Sequence, residues 1–131
     1  MQDGEMRAML IDYMEKGFLD NIIAMFKQDQ SLNRFIADLI GDEQIRVRLG
    51  GTALVEELVR EHREGLSLAV PGLIALLKAG SPTIRGDAAS VLGIIGDRSA
   101  QAALEACSRD DLHPGVRAAA GEALLELGKR D

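Results

Sequence analysis

The chain has 131 residues, of which 47% are hydrophobic and 27% charged, a composition typical of one folded domain with a hydrophobic core. Its net charge of −6 disfavours nucleic acid as a partner, because binding to phosphates depends on lysine and arginine. The single cysteine excludes an intrachain disulfide and a cysteine-based metal site. No apolar run approaches the about 18 residues of a membrane span, and the amino terminus lacks a signal-peptide pattern. We therefore expect a cytoplasmic protein without a membrane partner.

The first 30 residues predict two amphipathic helices, over residues 5–16 and 18–30. Apolar residues recur there at spacings of three and four, which is the pattern of one buried helix face. Methionine and aromatic side chains make up most of the first apolar stripe and half of the second. One interpretation is an N-terminal cap over residues 1–30, because terminal repeats of helical arrays are atypical. The alternative is a methionine-rich docking surface, since flexible thioethers suit adaptable interfaces.

Residues 31–65 predict a helix pair. Ser31 is a candidate N-cap for a helix that runs through Ile40, and the second helix extends from about residue 43 to residue 64. That second helix contains the pair Gly50-Gly51. Glycine weakens a helix by about 1 kcal/mol per residue relative to alanine, so we expect close packing or a bend at this point.

Two further helix pairs are predicted, over residues 66–97 and 98–131. Proline opens two of their four helices, at Pro71 and Pro114, where its missing N–H group costs nothing, and Gly80-Ser81-Pro82 is predicted to be a turn. Gly96 ends the helix over residues 83–95. The whole chain is therefore predicted to be one domain that consists of a cap and three helix pairs.

The segment 84–97 recurs in weaker copies on both sides. Its Ile84-Arg85 pair aligns with Val116-Arg117, and alanine, leucine and glycine then match along the helix. It also aligns with Ile45-Arg46, although this copy diverges after one turn. The spacings are 39 residues, from 45 to 84, and 32 residues, from 84 to 116, within the range of about 20 to 50 residues that helical repeats show.

The segment 84–97 closely resembles the second helix of short HEAT repeats, of the kind found in phycobilisome lyases. The resemblance implies an all-α, right-handed α-solenoid of about three HEAT-like helix pairs, an armadillo-like helical array in which the second helices line the concave side. It also implies a ladder in which an acidic residue of each turn bonds the arginine of the second helix, pairing Asp42 with Arg46 and approximately Asp111 with Arg117. Ser81 takes the acidic position in the middle repeat. The ladder residues are Asp42, Arg46, Arg85, Asp111 and Arg117.

The candidate binding surface is the helix stripe opposite the buried one. Ile84, Ala88, Leu92 and Ile95 share one face by their spacing and are predicted to be buried. If the second helices line the concave side, the opposite stripes and their equivalents form the partner-binding face: Arg48, Gly51, Val55, Asp87, Ser90, Ile94, Ala119, Glu122 and Glu126.

These patterns favour a non-catalytic protein-interaction or scaffold module that binds a partner protein or peptide on the concave face. A groove with Arg48 at one end and Glu122 and Glu126 at the other suits a partner of mixed charge. No cofactor or metal ion is expected, because His62 and His113 lack ligand spacing and Cys107 lies on an apolar stripe that predicts a buried thiol.

Three alternatives stay open. The resemblance raises a bilin-lyase-like or small-molecule-binding accessory protein, although no obvious acid or nucleophile is present. A basic concave face could grip nucleic acid, but the net charge opposes it. The alanine-rich last repeat could also pair with a second copy, which would give a homodimer.

Overall fold

The computed structural model describes residues 1–129, and these residues form eight α-helices, three short 3₁₀ helices and no strand. The predicted all-α class is confirmed. Contacts divide the chain into two compact units, Met1–Ala69 and Val70–Asp131. The last two residues of the predicted third helix pair, Arg130 and Asp131, lie outside the described residues.

The unit Met1–Ala69 contains four α-helices: α1 (Asp3–Glu15), α2 (Leu19–Gln28), α3 (Ile36–Ile40) and α4 (Ile45–Glu61). Both α1 and α2 pack against α4, and so does α3. The two N-terminal helices therefore cover one side of the first predicted repeat.

The first helix of this repeat starts differently from the prediction. Residues Gln30–Phe35 form a 3₁₀ helix, and α3 is only the last turn and a half of the predicted segment. The cap is Asp29, whose carboxylate accepts hydrogen bonds from the backbone N–H of Ser31 at 3.0 Å and from its hydroxyl at 2.6 Å. Ser31 is thus a partner of the cap and not the cap itself.

Close packing explains the glycine pair inside α4. A Cβ atom on Gly50 would overlap the thioether of Met14 in α1, and one on Gly51 would lie 3.1 Å from side-chain atoms of Leu39 and Ile40 in α3. Neighbouring helices contact α4 at both glycines. Of the two explanations that the sequence suggested, close packing or a bend, the structure shows close packing.

The unit Val70–Asp131 contains α5 (Val70–Leu76), α6 (Pro82–Ile95), α7 (Gln101–Asp110) and α8 (Pro114–Gly128). Short turns join α5 to α6 and α7 to α8, as in two helix pairs. The second helices α6 and α8 lie side by side, and α7 packs on α8. This arrangement follows the predicted repeat.

Local capping sets the ends of α6 and α8. The hydroxyl of Ser81 accepts a hydrogen bond from the N–H of Ile84 at 3.4 Å, and Nδ1 of His113 accepts one from Gly115 at 3.0 Å. Proline follows each cap at the first helical position. Gly96 ends α6 with a φ of 75°, a left-handed conformation that favours glycine.

The contact between α6 and α8 is unusually close. A Cβ atom on Gly93 would lie 2.8 Å from both Cα and Cβ of Ala123, a distance that real Cβ atoms do not reach. Ala88 and Leu92 of α6 and Ala120 of α8 are fully buried nearby. Small residues therefore let these two helices approach each other.

Candidate functional site

Arg85 joins the two helix pairs of the unit Val70–Asp131. Its Nη1 donates to the carbonyl oxygens of Ala79 and Gly80, at 2.9 and 3.3 Å, in the turn that precedes its own helix. Its Nε and Nη2 donate to the two carboxylate oxygens of Asp111, at 2.9 and 3.2 Å, in the turn of the following pair. The side chains of Arg85 and Asp111 are only 16% and 8% exposed, so this two-point contact is largely shielded from water.

The contact shifts the pKa values of both groups toward the charged forms. The hydrogen bonds from Arg85 lower the pKa of the Asp111 carboxyl, against the opposing effect of burial. The hydrogen bond to Asp111 in turn raises the pKa of Arg85. Both groups are therefore ionised at neutral pH.

The arginine contact recurs, and it corrects the predicted ladder. Nη1 of Arg117 donates to the carbonyl oxygen of Asp111 at 2.6 Å, and Nη1 of Arg48 donates to that of Asp42 at 2.9 Å. Each arginine thus bonds the carbonyl six residues before it, as Arg85 bonds Ala79. The predicted carboxylate pairing within each repeat is wrong, because Asp111 directs its carboxylate to Arg85.

The first repeat is therefore shifted by two residues from the predicted alignment. Arg48, and not Arg46, makes the recurring contact, while Arg46 is exposed. The carboxylate of Asp42 accepts instead from the N–H of Gln44 at 2.9 Å. The position equivalent to Asp111 in the middle repeat is Ala79, and not Ser81. Buried residues at equivalent positions of the three repeats have the same spacings of 37 and 32 residues as these arginines, for example Leu58, Ile95 and Leu127.

The two-residue shift removes the three predicted binding residues of α4 from the exposed face. Val55 and Gly51 are buried, and Arg48 bonds the turn before its own helix. The corrected register puts Gly50, Ala53 and Glu57 at these positions, and Met14 covers Gly50. The predicted mixed-charge groove therefore loses its basic end.

The other six predicted binding residues lie together along one groove between α6 and α8, which we call the α6/α8 groove. It consists of two concavities of about 310 and 180 Å³ that share Ser90 and Ala119 in their walls. The first also contains Asp87 and His113, and the second also contains Gly93. The predicted residues along the groove are Asp87, Ser90, Ile94, Ala119, Glu122 and Glu126.

The charge of the α6/α8 groove is negative. Its charged walls are Asp87, Glu122 and Glu126, and no lysine or arginine of the described residues lines it. Lys129 lies beside one of these walls, with its Nζ 3.0 Å from Oε1 of Glu126. Sequence reasoning missed His113 and Gly93 as parts of the groove, although the spacing of seven residues between Gly86 and Gly93 marks a small-residue face on α6.

A second concavity of about 410 Å³ lies between α5 and α7 and has mainly apolar walls, including Ile74, Leu77 and Ala103. Cys107 lies at its base and is 8% exposed. Burial raises the pKa of this thiol, so the reactive thiolate is disfavoured at neutral pH. The residue fits the predicted buried thiol and not a nucleophile.

Two further properties of residues 1–129 bear on the site. No cluster of three or more histidine, cysteine or acidic side chains is arranged to hold a metal ion there. No helix in that part of the chain combines the length and apolar character that crossing a membrane requires.

Consecutive helix pairs that share one arginine-to-carbonyl contact define a helical-repeat protein. The family model for HEAT repeats matches residues 36–125, which is more than half of the chain, and the protein belongs to the HEAT-repeat family. The match confirms the HEAT resemblance and, together with the helices, the all-α fold class of helical solenoids. The phycobilisome-lyase type stays a prediction. No curated protein matches the chain.

Proposed function

We propose that this protein is a non-catalytic interaction module that binds a partner protein or peptide in the α6/α8 groove. HEAT repeats commonly serve as protein-interaction scaffolds. The observation that carries the proposal is the convergence of six predicted face residues on one groove, with Ser90 and Ala119 shared by both of its concavities. A groove formed by two rigid helices offers a preorganised surface, which limits the entropy lost on binding.

The chemistry of the described side chains supports a binding role over a catalytic one. The thiol of Cys107 is buried and has a raised pKa. The carboxylate of Asp111 is engaged by Arg85 at both oxygens. Both groups border the concavity between α5 and α7, and neither is arranged to act there as a nucleophile or as a general base.

The remaining expectations stay predictions. A bilin-lyase-like or small-molecule-binding function would use the concavity between α5 and α7, and a change in visible absorbance on mixing with bilin would favour it. The acidic groove supports the expectation of a protein partner and not nucleic acid. Leu125 is 69% exposed on α8, which is compatible with the predicted homodimer. The cytoplasmic location is likewise part of the proposal.

A photo-crosslinking experiment tests the proposed surface. A photoreactive amino acid replaces Ser90, which is exposed in the groove, or Ser67, which is exposed in the other unit. Both proteins are expressed in the native host, irradiated, purified under denaturing conditions and analysed by mass spectrometry. We expect one or a few defined adducts from position 90 alone. Adducts of the same proteins from both positions, or from position 67 alone, would contradict the assignment of the groove.

A further inference from the structure

We propose that the α6/α8 groove recognises an extended segment with two basic side chains separated by one residue, that is, a Lys/Arg-x-Lys/Arg sequence. This inference rests on the proposed function and adds the charge, the conformation and the spacing of the partner. It depends on the width of the groove, on its length and on the positions of Glu122 and Glu126.

The width of the groove favours an extended chain over a helix. At Gly93, α6 and α8 are closer together than a Cβ atom on that residue would allow. Packed helices are ordinarily about 8–10 Å apart, whereas an α-helix with its side chains has a diameter of about 10–12 Å. A partner helix would therefore rest above the groove, whereas an extended chain is narrower and can lie closer to its floor.

The length of the groove corresponds to a short peptide. Its walls run along α8 from Gly115 to Glu126, a distance of about 16 Å, because an α-helix rises about 1.5 Å per residue. An extended chain advances about 3.3 Å per residue. The groove thus accommodates about five residues of a partner.

The spacing of the acidic side chains selects the sequence. Glu122 and Glu126 lie four residues apart on α8 and are both exposed, so their Cβ atoms are about 5–6 Å apart on one helix face. In an extended chain, alternate side chains point the same way and are about 6.6 Å apart. Two basic residues at positions i and i+2 can therefore each meet one carboxylate. Adjacent basic residues would point to opposite sides.

Lys129 already occupies part of this site. Its Nζ lies 3.0 Å from Glu126, and the two side chains are 71% and 54% exposed. An exposed ion pair is weak, so a basic side chain of the partner can displace Lys129. The contact shows that Glu126 is within reach of a lysine ammonium group.

Selection from a displayed library of random linear octapeptides tests the inference with the full chain. The wild type is compared with the double variant Glu122→Lys/Glu126→Lys. The control, Glu15→Lys/Glu105→Lys, makes the same change in net charge at exposed positions on α1 and α7. Circular dichroism establishes that all three proteins fold. Enriched peptides are then synthesised, labelled and titrated by fluorescence anisotropy.

We expect enrichment of peptides with basic residues at positions i and i+2. Their affinity should fall by about tenfold or more in the groove variant, because like charges replace complementary ones, and should change little in the control. Binding should weaken as salt screens the exposed charges. Lys129→Gln should tighten binding by about twofold to fivefold, the range of an exposed ion pair.

Other outcomes separate the inference from the proposed function. Enriched peptides that are acidic or neutral, and that the groove variant no longer binds, would overturn the basic sequence and leave the groove as the binding surface. Basic pairs enriched at i and i+1 as strongly as at i and i+2 would overturn the extended geometry. Peptides bound equally by the groove variant, or no enrichment at all, would count against both.

Discussion

Substitution of Gly93 by alanine tests the close contact between α6 and α8. The new methyl group would lie 2.8 Å from Cα and Cβ of Ala123, and a backbone atom cannot move aside without shifting a whole helix. Overpacking of a core costs about 1–3 kcal/mol, whereas the higher helix propensity of alanine contributes about 1 kcal/mol in the opposite direction. We expect a net loss of up to about 2 kcal/mol in the free energy of unfolding.

Gly121 provides the matched control for this substitution. It lies inside α8, and a Cβ atom there would have no neighbour within 4 Å. Gly121→Ala should therefore gain up to about 1 kcal/mol from helix propensity alone. The two glycine-to-alanine changes are chemically identical, so opposite signs would isolate the contribution of packing.

Urea denaturation followed by circular dichroism measures both effects, with free energies from linear extrapolation. The midpoint should fall for Gly93→Ala and rise or stay constant for Gly121→Ala. Adding Ala123→Gly to Gly93→Ala should cost less than the sum of the single changes, because the two sites share one contact. A Gly93→Ala protein as stable as Gly121→Ala would refute the close approach of the helices.

Three further predictions concern the arginine contacts and the buried thiol. Since the folded-state pKa of Asp111 is lowered, its contribution to stability should be complete above its unfolded pKa, about 3.9, and should disappear as the pH falls through the lower folded-state value. The melting temperature should therefore fall at acid pH, and Asp111→Asn should make this fall less steep. An unchanged dependence of melting temperature on pH would contradict the role of the Arg85 contact. Arg48→Ala should lower the free energy of unfolding by about 1–2 kcal/mol through loss of its hydrogen bonds to two carbonyl oxygens. Arg46→Ala should change the free energy of unfolding by less than about 0.5 kcal/mol. Equal effects of the two substitutions in thermal melts would argue against the corrected register. Cys107 should react with iodoacetamide at neutral pH far more slowly in the folded protein than in urea, because it is buried with a raised pKa; equal rates measured by mass spectrometry would show that the thiol is accessible.

The sequence alone determined the helical class and most of the helix ends in the unit Val70–Asp131. Periodicity of apolar residues, the turn at Gly80-Ser81-Pro82 and the helix end at Gly96 depend on neighbours within a few residues, so local patterns suffice to locate them. The same periodicity placed Ala88, Leu92 and Ile95 on the buried side of α6 and Asp87 and Ser90 outside it, although Ile84, which was predicted to be buried, is half-buried. The six groove residues of α6 and α8 were predictable for this reason.

Only the tertiary structure decided the register of the first repeat and the partners of its arginines. In α4, arginines occupy both position 46 and position 48, and the apolar pattern around them is too irregular to separate the two. The register depends on which guanidinium group contacts the carbonyl oxygen of the residue six positions earlier in the chain, as that of Arg48 contacts Asp42. The pairing of Arg85 with Asp111 spans 26 residues, and the reasons for Gly50 and Gly93 lie in the helices that pack against them. The contacts of Arg85, Gly50 and Gly93 join residues that are distant along the chain, and no local pattern of the sequence encodes them.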